Sequence, residues 1–216
     1  MKLTSLNLKN GIDPYKIFFP LGLLHALLGA GVWVLYALKM AQYPGQYHAF
    51  HMIVGFSLSF ITGFLFTAIP RFTGSPRCSN AELTFATLLN VFSIFFQHLV
   101  LAFVSFLFVA FFILRRFRLK TYSPPPHFIF LPIGLLFGII GAGLAGFVQM
   151  GVLEAFYFSV AKTLLYYGTT LAFILGIGAK LIAALLGWAA PPTHKMQPLN
   201  TISKKNKKNY TPALLA

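Results

Sequence analysis

The run YHAFHMIVGF, residues 47–56, sets His48, His51 and Met52 within one and a half helical turns. Positions three and four apart share a helix face, so all three side chains can point the same way. Imidazoles suit copper and iron, and a thioether suits Cu(I). Interfacial histidines wetted by headgroups would show the same spacing, so both readings stand. His98 could join that group or serve as a polar turn residue. His25 lies about 12 Å into the first apolar run at 1.5 Å per residue, and ionisable groups at membrane depth are functional candidates by default. Arg71, just after Pro70, could hold an anionic group or anchor a helix end at the headgroups. His127 follows three prolines at a helix start and His194 lies in a polar tail, and neither reads as a ligand.

Such residues need elements to position them, and composition says in what solvent. The chain has 216 residues, 57% apolar, 17% aromatic and only 9% charged, with a mean hydropathy of +0.76. Soluble proteins carry about 25% charged residues, so this is a membrane protein. Its net charge of +14 falls between apolar runs, where Lys and Arg set orientation, and it implies no nucleic acid. A single cysteine, Cys78, excludes an internal disulfide, a Cys-x-x-Cys metal site and c-type haem attachment. The first 16 residues read as a cytoplasmic segment, 17–187 as the transmembrane domain, and 188–216 as a basic, disordered tail.

Four spans read directly, at about 17–38, 49–70, 127–149 and 160–187, since about 20 apolar residues cross a bilayer. The run 83–114 would be about 48 Å long as one helix. A pair of helices joined near Gln97-His98 fits a core of about 30 Å better. Six helices also gather Lys16, Arg71, Arg77, Arg115, Arg116, Arg118 and Lys120 on one face with both termini, whereas five would split them. The expected fold is therefore an all-α bundle of about six transmembrane helices, both termini cytoplasmic, with anionic lipid drawn to the basic face. Glu82 is expected to begin the third helix after Ser79-Asn80, where an acid is favoured.

A repeat runs through the chain. Shifted by 112 residues, 14–32 lies on 126–144 with ten identities, and shifted by 113, 55–74 lies on 168–187 with seven. Helices 1–2 thus read as repeated in helices 5–6. The second copy lacks the chemistry: His25 faces Phe137, His48 faces Ala161, His51 faces Leu164 and Arg71 faces Ala184. Counting depth from the helix ends leaves roughly 13–15 Å between His25 and His51 along the normal of a 30 Å core. Two separate sites are the expectation: an outer one with His48 and His51, joined by Met52 or His98, and His25 deeper.

His48-Ala49, Met52, Gly55-Phe56, Gly63-Phe64-Leu65, Thr67-Ala68, Pro70 and Thr73-Gly74, with Phe18-Phe19 upstream, resemble the NnrS family of haem- and copper-containing bacterial membrane proteins. This chain differs in carrying Phe50-His51 where the family commonly shows His-Glu, and it is shorter than usual members. The resemblance implies haem b and copper as cofactors, held by the candidate histidines with Arg71 toward the haem. It also implies a place in the bacterial inner membrane and a role in nitric oxide metabolism or nitrosative-stress defence. The alternative is a cofactor-free small transporter or assembly factor framed by the repeat.

Overall fold

The computed structural model describes residues 12–123, 126–178 and 186. Among these there are six principal helices and no strand: α1 (Tyr15–Ala37), α2 (Gly45–Thr73), α3 (Asn80–Phe95), α4 (Leu99–Arg118), α5 (Phe130–Gln149) and α6 (Tyr157–Gly178), with a 3₁₀ turn at Pro126–Ile129. Five are long and apolar enough to cross a membrane, and α3, at 16 residues, is shorter. The proposed basic tail and His194 lie outside the described residues.

Lipid as solvent explains the surface. On α1, Phe18, Gly22, His25 and Gly29 form a buried stripe, while Leu23, Leu27 and Val34 on the other side are more than half exposed. Packing rather than apolar segregation brings such helices together, and small residues permit the close approach. A Cβ built at Gly22 would lie 2.7 Å from the Phe60 ring, and one at Gly63 would lie 2.8 Å from Cβ of Phe18. The helices α1 and α2 therefore form a tight antiparallel hairpin.

The apolar run 83–114 divides where Gln97 takes a φ of 49°. No glycine or proline marks this turn, and its backbone groups are met from another helix. Gln149 at the end of α5 donates from Nε2 to Gln97 O at 3.1 Å and accepts from Leu99 N at 2.9 Å. At the opposite end Ser79 and Glu82 form a capping box on α3. Arg116 of α4, 3% exposed, bonds both oxygens of Glu82 at 2.8 and 2.6 Å and donates to the carbonyls of Pro76 and Arg77. The Phe112 ring lies 4.1 Å from its guanidinium carbon. This pair ties the loop after α2 to α4, so one of only three acids is used as structure.

Widened π-type turns interrupt the long helices, at His51–Ser57 in α2 and at Thr163–Gly168 and Ile174–Gly178 in α6. The first two are each accompanied by a hydroxyl that bonds the carbonyl five residues back: Ser57 to Met52 at 3.0 Å, Thr169 to Leu164 at 3.2 Å. A widened turn loosens the i→i−4 ladder, and within lipid its carbonyls must find partners inside the protein. Turns of this kind often occur at functional sites.

Candidate functional site

The first π turn begins at His51, and it is there that α2 meets His25 of α1. The two Nδ1 atoms lie 3.0 Å apart, with ring centroids 5.2 Å apart and planes inclined by 23°. The residues are 7% and 4% exposed. A hydrogen bond between two imidazole nitrogens requires one to carry the proton and the other to offer a lone pair.

This contact corrects the depth count. The separation of roughly 13–15 Å expected within a 30 Å core is replaced by direct contact, and the two histidines form one centre. In an antiparallel hairpin, residues at similar distances from the turn lie side by side. The turn here is short, since α1 ends at Ala37 and α2 already starts at Gly45, four residues before the expected span. Counting each helix from its own membrane edge loses that register.

Two glycines make the approach possible. A Cβ at Gly55 would lie 2.6 Å from Cβ and 2.7 Å from Cγ of His25, and one at Gly29 would lie 3.1 Å from Cβ of His51. Gly29 also accepts a 2.8 Å hydrogen bond from His48 Nδ1. Because a carbonyl only accepts, His48 is held with a proton on Nδ1, so that in the neutral ring the lone pair is on Nε2. Met52 comes to the same notch, its sulfur 3.5 Å from a Cβ built at Gly29. Tyr47 lies against the His51 ring at 4.1 Å between centroids, and Trp33 meets the His48 ring at 5.7 Å.

The structure thus gathers His25, His48, His51 and Met52 around Gly29 and Gly55, and it leaves the other two candidates elsewhere. His98 caps α4 with its Nδ1 buried and without a hydrogen-bond partner, and no hydrogen bond or ring contact joins it to His48 or His51 among the described residues. Arg71 is at the far end of α2, about 30 Å of helix from His51, where it pairs with Asp13 at 3.4 Å. It borders a cavity of about 320 Å³ shared with Asp13, Thr67 and Arg77. Sequence reasoning passed over Gly55, Trp33 and Tyr47 as site residues. Gly55 carried the available signal, a glycine four residues after a histidine in a helix pair rich in small residues.

What could the pair hold? Two metal–nitrogen bonds of about 2 Å span more than the 3.0 Å between the Nδ1 atoms, so one small ion could be shared by both rings. Among the described residues no group of three or more His, Cys, Asp or Glu converges as a metal site, so any further donor would come from Met52 or from outside the protein. A haem does not fit between these rings. Axial ligands on opposite sides of one iron stand about 4 Å apart at bonds of about 2 Å, with the porphyrin between them. Here the rings are inclined by only 23°, with 3.0 Å between their Nδ1 atoms.

No curated protein and no solved structure matches the chain. A family model described as "NnrS protein" matches residues 13–215, nearly the whole chain and both helices of the histidine hairpin. The chain belongs to the NnrS family.

Proposed function

We propose that this membrane protein holds a copper ion at the His25–His51 pair and acts in nitric oxide metabolism or defence against nitrosative stress. The observation that carries the metal reading is the 3.0 Å approach of two buried Nδ1 atoms. The nitric oxide role rests on family membership. Copper is the ion that imidazole with a nearby thioether favours. When bound, it would supply one-electron chemistry and a place for a small uncharged ligand. The chain's own residues prepare that place: Gly29 and Gly55 let the rings meet, and the Gly29 carbonyl fixes the tautomer of His48. Haem b, the other cofactor implied by the family, does not fit between these two Nδ1 atoms.

We also infer that the end carrying Arg71, Arg77, Arg116 and Arg118 is cytoplasmic in a bacterial inner membrane, with both termini on that side and anionic lipid drawn to it. The charge asymmetry supports this orientation. The deciding experiment is metal analysis and visible and electron paramagnetic spectra of detergent-purified chain loaded with copper. About one copper per chain, lost in His51→Ala and in His25→Ala while both remain folded, is the expected result. Copper retained by either variant would overturn the shared site.

A further inference from the structure

Three helices meet, one turn along α2 from Gly55, around a side chain whose bonding is incomplete. Asn90 of α3 is 1% exposed. Its Oδ1 accepts from Ser59 Oγ of α2 at 3.0 Å, and its Nδ2 has no hydrogen-bond partner. Ser59 Oγ also donates to Gly55 O at 2.5 Å, and one hydroxyl hydrogen cannot serve two acceptors well. Turning the amide over would let Nδ2 donate to Ser59, but Oδ1 would then be left without a partner. Either orientation leaves one end of a buried amide open, at a depth where only protein or trapped water can bond it.

Beside that amide is a small cavity lined by Thr62 of α2, Asn90, and Ser105, Phe108 and Val109 of α4. It offers the centre of a water molecule about 10 Å³, close to the least space that holds one water. The lining is mostly apolar, Ala86 and Leu89 of α3 included, and its polar groups are the Asn90 amide and two hydroxyls. Thr62 and Ser105 bring hydroxyls, and Ser105 donates to Leu101 O at 2.9 Å, which leaves its oxygen able to accept. A buried water makes about three hydrogen bonds, and three groups are present. No carboxylate, imidazole or thiol lines the cavity, so a cation has no ligand set there.

We propose that this cavity is a binding site for one internal water molecule, bonded to the open end of the Asn90 amide and to the Thr62 and Ser105 hydroxyls. The water donates or accepts as the amide requires, so the proposal holds for both amide orientations. It joins α2, α3 and α4 where no direct side-chain bond links all three. The site is independent of the metal reading.

The test is water-edited solid-state NMR on the full chain in lipid bilayers with ¹⁵N-labelled asparagine, the Asn90 side-chain signal being assigned by its loss in Asn90→Leu. Transfer from water protons to the Asn90 side-chain nitrogen is expected in the wild type. It should fall at least about threefold in Thr62→Val and persist in Thr62→Ser, which keeps the hydroxyl. An intact Asn90 signal without water transfer would overturn the proposal, as would equal transfer in the two Thr62 variants. A shift of that signal under xenon pressure would do the same, since xenon enters dry cavities.

Discussion

Gly55 in α2 and Gly168 in α6 occupy matching positions under the 113-residue shift, and each makes room for a ring from the helix beside it. The ring is His25 in the first hairpin and Phe137 in the second. Other contacts correspond as well: Gly22 with Phe60 and Gly134 with Phe173, Gly63 with Phe18 and Gly176 with Phe130, the backbone of His48 against Gly29 and that of Ala161 against Gly141. Both hairpins carry a widened turn with a hydroxyl bonded five residues back. The two hairpins match in these contacts, with His25, His48 and His51 in the first where the second carries Phe137, Ala161 and Leu164. The comparison teaches that a notch for a ring belongs to the helix pair, whereas reactivity belongs to the ring placed in it.

The largest expected effect comes from making the first hairpin resemble the second. In the double variant His25→Phe/His51→Leu, bound copper measured by mass spectrometry should fall from about one per chain to background, and the helical circular dichroism should stay. Persistence of full copper binding would move the functional centre out of this hairpin.

Stability sharpens the same comparison. His51→Leu alone leaves His25 Nδ1 buried without its partner, which costs about 1–3 kcal/mol, whereas replacing both partners with apolar groups of suitable shape can be nearly neutral. Thermal unfolding in detergent should therefore rank the single variant below the double. A double variant less stable than either single one would mean that the pair contributes more than its mutual bond.

A smaller difference is expected between the glycines. Gly55→Ala puts a methyl against Cβ and Cγ of His25 at 2.6 and 2.7 Å, atoms that move only with the α1 backbone. Overpacking of this kind costs about 1–3 kcal/mol. Gly168→Ala meets chiefly the Phe137 ring at 2.9 Å, which can swing away, so its loss in unfolding temperature should be the smaller of the two. Copper binding should weaken only in the first.

The smallest effect lies at the basic end of the first hairpin, whose counterpart in the second falls beyond the described residues. Burial, and then the Glu82 carboxylate, push the Cys78 thiol up to about 12, with Arg116 pulling the other way. An unperturbed thiol titrates near 8.5. Because the folded value is raised, thiolate stays scarce at neutral pH, and maleimide labelling of folded protein should climb about tenfold per pH unit from 7 to 10 without levelling. A plateau near pH 9 would mean that this loop opens freely, and that the Arg116–Glu82 pair does not hold it.

The membrane bundle was legible because lipid imposes simple demands on a sequence. Apolar length gave the spans, the excess length of 83–114 required a break, and Ser79 with Glu82 marked the start of α3. The positions His25, His48, His51 and Met52 stood out by type and spacing, and the second copy carries Phe137, Ala161 and Leu164 where the first has its histidines. None of this fixed the register between α1 and α2. That register depends on where the hairpin turns and on how closely backbones approach at Gly29 and Gly55, which are pairwise properties of two helices. A count along each helix placed His25 and His51 in different sites, whereas packing put them in contact. Likewise the Gln97 turn depends on Gln149, and Glu82 on Arg116, partners 52 and 34 residues away. Lipid burial can be read from one segment at a time, but a hydrogen bond between segments exists only once the helices have met.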